Sequence, residues 1–308
     1  MNTKLVIMAF FFVLFSSIAQ NKKGFNIHNA TIPQAEIKDG GPPKDGIPSI
    51  DFPKFINAQE ASLENLDRVL GISLNGIAKA YPINILNYHE IVNDYLAKQP
   101  VVITYCPLCG SGLAFDAMIN NKPTTFGVSG LLYNSDVLLY DRETQSLWSQ
   151  LKYQAVSGAL VGTPLQIIPT EITTWENWKN LYPKTLVLSE ETGYYRNYAK
   201  NPYPRYEFSS DLYFSVSNTD HRFHAKETII GIDIAGKFKA YPFSELEKLK
   251  GKILEDTLEE KPIKVKYSST HKSAVITDSD NNLLPSVTSF WFAWFAFHPD
   301  TEVYLFDK

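Results

Sequence analysis

Only two cysteines occur in the 308 residues, so at most one disulfide bridge is available to hold this chain together. Lysine and arginine never cluster, which argues against nucleic acid as a partner, because neutralising phosphates needs grouped basic side chains. There is no glycine-rich phosphate loop and no dinucleotide fingerprint, so no nucleotide cofactor is expected. Ser129 lies in Val-Ser-Gly, outside any Gly-x-Ser-x-Gly elbow, and hydrolase chemistry gains no support. Past Gln20 no apolar run approaches the roughly 20 residues of a membrane span. The longest, Phe290 to Phe297, has eight residues and reads as a buried strand or helix.

The N-terminus reads as a secretory leader. Lys4 supplies the positive charge, Leu5 to Phe15 is an eleven-residue apolar run, and Ser17-Ile18-Ala19 offers small residues for cleavage. Cleavage after Ala19 would give a periplasmic or secreted product, and no cysteine follows that could take a lipid. Without Lys4 the chain carries 28 Lys and Arg against 33 Asp and Glu, a mildly acidic balance. Aromatic residues make up 13%, a content that favours a β-rich, well-packed body long enough for a full core.

Part of the chain is written twice. Residues 69–82, VLGISLNGIAKAYP, return as residues 229–242, IIGIDIAGKFKAYP. Trp175, Trp178, Pro183, Thr185 and Val187 likewise return in the same order as Trp291, Trp294, Pro299, Thr301 and Val303. Each copy predicts a hairpin at Asn75-Gly76 or Ala235-Gly236, then a short helix started by Tyr-Pro, then two strands around a charged tip. The expected fold is α+β, predominantly antiparallel β, with two duplicated lobes packed into one globular unit. The leader covers 1–19, an extended arm 20–68, lobe one 69–190 with an insertion at about 120–174, a connector 191–228, and a degenerate lobe two 229–308.

Both cysteines fall in Tyr105-Cys106-Pro107-Leu108-Cys109-Gly110, between a predicted strand and a predicted hairpin. Three readings compete. A metal knuckle of the rubredoxin or zinc-ribbon kind would use the glycine to relieve the turn and both thiolates as ligands for copper or zinc. One knuckle supplies two ligands, so the rest would come from His89, His271, His298, Glu90 or another carboxylate. A thiol–disulfide couple is the second reading, with Cys106 attacking and Cys109 resolving. The Gly110-Ser111-Gly112 continuation opposes the helix such enzymes place there. The third is a structural disulfide in a non-catalytic interaction protein, where a four-residue loop stabilises little.

Pairing Ile91–Leu96 with Val101–Tyr105 about a turn at Lys98-Gln99 sets His89 and Glu90 opposite Pro107, Leu108 and Cys109. In the second copy His89 falls on Gly251, Glu90 on Lys252, Cys106 on Ser268 and Cys109 on His271. Residues that only pack should survive duplication, so these four are the expected site of lobe one. Asp141, Arg142, Ser146 and Trp148 in the insertion form a polar-aromatic cluster, read either as a tight turn or as a substrate-facing loop.

These motifs together resemble one bacterial family of exported proteins of unknown function, the family numbered 3179 (DUF3179). The resemblance rests on Gly40 to Pro48 (GGPPKDGIP), Ala80-Tyr81-Pro82, His89 to Asp94 (HEIVND) and Thr104 to Cys109 (TYCPLC). It continues through Tyr140-Asp141-Arg142 with Ser146 and Trp148, Trp291 to Trp294 (WFAW), and His298 to Thr301 (HPDT). It runs from about residue 40 to the C-terminus and implies no activity. The partner is left as an unknown small molecule or protein.

Overall fold

Two-residue turns with positive φ set the strand pairings. Asn75 and Gly76 have φ of 50° and 78°, and Ala235 and Gly236 have 53° and 81°. This backbone matches the twist of the flanking strands. Arg68–Leu74 therefore pairs with Ile77–Pro82, and Thr228–Ile234 with Lys237–Pro242. Each hairpin gains an outer strand on both sides, Thr170–Thr174 and Leu186–Leu188 in one case, Ser286–Phe290 and Glu302–Val303 in the other. These four strands follow the same order in both sheets, the last running parallel to its hairpin neighbour, and Phe55–Asn57 adds a fifth strand to the first sheet alone.

The repeated residues have matching physical jobs. Gly71 and Gly231 each leave room for an indole: a Cβ would lie 2.3 Å from the Trp178 ring or 2.5 Å from that of Trp294. Each indole N–H then donates to a threonine at 2.9 Å, Trp178 to Thr185 and Trp294 to Thr301. Lys79, Tyr81 and Asp94 form a buried charged cluster, and Lys239, Tyr241 and Asp256 repeat it at a wetter position. These side chains hold the sheets together.

The computed structural model describes residues 21–306, so the leader expected at 1–19 lies outside the described residues. Strands hold 41% of the described residues and helices 12%, and the strands are mostly antiparallel. Four α-helices are described: α1 (Ile83–His89), α2 (Trp175–Leu181), α3 (Phe243–Leu246) and α4 (Trp291–Phe297). The aromatic run after Ser289 is thus helix α4, with both tryptophans buried. Among the described residues no helix is long and apolar enough to cross a membrane.

The architecture is coarser than two lobes. Five sheets of three to five strands resemble a five-bladed propeller. The largest apolar core joins Cys106, Phe115 and Trp148 to Ile229, Trp291 and Trp294, so both repeats share it. Residues 126–157 supply four strands of one sheet, whose edge is Lys38–Asp39 from the N-terminal segment.

The hairpin carrying the cysteines departs from the expected register. Ala97 and Lys98, with φ of 48° and 72°, make the turn, and Leu96 faces Gln99. The pairing therefore shifts by two residues, which preserves the faces of the strands. Ile91 lies opposite Thr104. The strand stops there, because α1 runs through His89 and Glu90 caps it with a φ of 57°. His89 is thus a helical residue rather than a strand residue facing the knuckle.

Candidate metal centre

The strand Gln99–Cys106 delivers Cys106 to the interior, and Ser111–Asp116 leaves antiparallel to it, closing on the pair Cys106 and Ser111. Between them Gly110 takes a φ of 58°, with the Phe290 ring where a Cβ would need to be. The Phe290 N–H donates to the Cys109 carbonyl at 2.8 Å, so the second repeat clamps the knuckle from outside. Both cysteines are buried and free of a disulfide.

A second turn completes the site. Asn134 and Ser135, with φ of 52° and 66°, connect the strands Phe126–Tyr133 and Asp136–Asp141. This turn aims the Ser135 carbonyl and the Asp136 carboxylate at the two thiols. The Cys106 thiol donates to Ser135 O at 3.7 Å and Cys109 at 3.4 Å. One ligand atom from each of Cys106, Cys109 and Asp136 lies within 4.8 Å of the other two. Among the described residues no other group of three His, Cys, Asp or Glu has this closeness.

The electrostatics are those of several acids buried together. Asp136 Oδ2 accepts from Leu151 N–H at 3.1 Å, while the buried Oδ1 has no regular hydrogen-bond partner among the described residues, the two thiols lying beside the carboxyl. Burial pushes the Asp136 carboxyl up to about 7. Burial also raises both thiols, Cys109 further than Cys106. Glu90 follows at about 8, through burial and then the charge of Asp136. No ion pair to Asp136 or Glu90 exists among the described residues. A divalent cation would supply the missing positive charge and displace the thiol protons.

The other expected ligands lie elsewhere. His89 is buried, with Nδ1 against Pro48 O at 2.7 Å and Nε2 against Tyr198 Oη at 2.6 Å. Both ring nitrogens are therefore occupied, and Asp136 stands where His89 was expected. Glu90 borders the site without entering the group of three. His271 meets Thr174, the N-cap of α2, at 2.8 Å. His298 stacks on Phe238, ring centroids 4.0 Å apart, and its buried Nε2 has no hydrogen-bond partner among the described residues.

The insertion cluster is a folded turn rather than a loop open to substrate. Asp141 accepts from Thr144 N–H and Oγ1, from Ser146 N–H and from Trp148 Nε1. Arg142 reaches Ser49 and Asp51, tying the turn to the N-terminal segment. Ser146 Oγ accepts from Leu160 N–H at 3.0 Å. Asp136 was missed because it heads the strand DVLLYD, which reads as buried β. The available signal was an acid directly after the turn residues Asn134-Ser135 and before a wholly apolar stretch.

No curated protein and no solved structure matches the chain. The family model described as "Protein of unknown function (DUF3179)" matches residues 44–283, which include the whole Cys-Cys-Asp group. Since that match spans most of the chain, the protein belongs to the DUF3179 family.

Proposed function

We propose that this protein is an exported metal-binding protein whose ligands are Cys106, Cys109 and Asp136. The observation that carries the reading is the unpartnered Asp136 oxygen, buried beside two thiols. An isolated buried carboxylate is costly in an apolar interior, and a bound cation is the physical remedy the geometry offers. Of the two metals expected, a carboxylate beside two thiolates favours zinc, since Cu(I) prefers soft donors throughout. Three protein ligands are the number found in zinc sites that keep one position open.

Thiol–disulfide exchange with a protein substrate fits less well. Both sulfurs are buried, no helix follows Cys109, and the thiols are raised where an attacking cysteine is usually lowered. The reading also includes export: removal of 1–19 after Ala19, and a body of duplicated origin. In it, 69–190 and 229–308 descend from one ancestral unit joined by 191–228, with 20–68 as an arm. The matching strand orders and the paired Gly–Trp contacts support that descent, and only the first copy kept the cysteines.

The test is metal analysis of protein purified without chelator, beside the Cys106→Ser, Cys109→Ser double variant. About one zinc per chain, lost in the variant, supports the reading. Metal-free protein that cycles reversibly between dithiol and disulfide would replace it with the redox reading.

A further inference from the structure

Beside the metal group lies a separate cavity of about 230 Å³. Its walls are aliphatic and aromatic, among them Leu108, Val137, Tyr203, Tyr213 and Phe214, and Glu90 is its one ionisable carboxyl. We propose that this cavity binds a small organic ammonium ion, the Glu90 carboxylate pairing with the nitrogen and the aromatic rings facing its hydrocarbon part.

Four observations carry this. Glu90 is 7% exposed and lines the cavity, and its carboxylate has no hydrogen-bond or ion-pair partner among the described residues, which leaves it free to pair with a cation there. Asp136 adds negative charge close by, so the wall repels an anion. A hard metal ion is disfavoured, because one carboxylate among hydrocarbon supplies too few oxygens. Aromatic faces beside a carboxylate are the usual surroundings of an organic cation.

The backbone points the same way. Glu90 holds a φ of 57°, unusual for a residue with a Cβ. That conformation ends α1 and turns the chain into the strand Ile91–Leu96. Tyr203 and Tyr213 come from the segment between the repeats. Tyr213 is held by Tyr206, ring centroids 4.6 Å apart, and remains largely exposed. The second repeat has Lys252 at the position of Glu90, so nothing equivalent is built there. The proposal does not depend on the metal and is tested on chelator-treated protein.

Benzylammonium and benzyl alcohol differ mainly in charge and make the probe pair, titrated by calorimetry near pH 8.5, where the Glu90 carboxyl, held at about 8, is largely ionised and the amine keeps its proton. The expected result is benzylammonium binding about ten-fold or more tighter than the alcohol, with the difference abolished in Glu90→Gln. Tyr213→Ala, at an exposed ring whose loss leaves the core intact, should weaken the amine several-fold and the alcohol less. Equal binding of the two probes, a preference that persists in Glu90→Gln, or no binding of either at millimolar concentration each overturns the proposal.

Discussion

Asp136→Asn has opposite consequences with and without metal, and that opposition tests the site. In the metal-free protein burial holds the Asp136 carboxyl at about 7, against an ordinary 3.8 in the unfolded chain. Between these values the folded state binds more protons than the unfolded one, so stability falls as pH rises. The loss is about 1.4 kcal/mol per pH unit, or roughly 4 kcal/mol once pH exceeds 7. Asparagine does not titrate and cannot carry this loss. It does leave an amide to satisfy, at a pH-independent cost of about 1–3 kcal/mol.

The measurable quantity is therefore the change in the variant's relative stability with pH. Urea unfolding with chelator at pH 5 and pH 8 should show Asp136→Asn gaining about 2–3 kcal/mol on the wild type between the two. Zinc should reverse the order. At free zinc one hundred times the dissociation constant, binding stabilises the wild type by about 2.7 kcal/mol, and a hundred-fold weaker site forfeits most of that. A variant that loses ground from pH 5 to pH 8 would refute the burial argument. One that responds to zinc as the wild type does would remove Asp136 from the ligand set.

Other perturbations separate the site from its scaffold. Burial lowers His298 to about 3, so the unfolded chain takes up a proton below pH 6.5 and the folded chain does not. Stability is thus lost as pH falls from 6.5 toward 3, and His298→Phe should gain about 2 kcal/mol on the wild type at pH 5, read from unfolding midpoints. Gly71→Ala drives a methyl into the Trp178 ring and should cost about 3 kcal/mol in urea unfolding. Lys79→Met strands the buried Asp94 carboxylate and should cost about 3–5 kcal/mol, whereas Lys239→Met should cost less because Asp256 is better hydrated. Equal losses at the two lysines would sink that comparison.

What the sequence determined by itself is local or repeated. The Asn75-Gly76 and Ala235-Gly236 turns, the Tyr-Pro starts of α1 and α3, and the knuckle between two strands follow from residue types at short range. The repeat marked Gly71, Trp178 and their counterparts Gly231 and Trp294 as scaffold, and the structure showed that each glycine packs on its tryptophan. It also singled out the first copy as the one expected to carry chemistry. The tertiary structure decided what surrounds the sulfurs. A tip turning at Ala97-Lys98 instead of Lys98-Gln99, and a helix running on through His89, send that imidazole to Pro48 and Tyr198. Asp136 arrives from a strand 27 residues beyond Cys109, carried there by sheet packing that leaves no local periodicity. Turn chemistry acts over two to four residues and can be read along a chain. A candidate metal site made from two separate turns depends on how sheets stack, and only the folded structure supplies that.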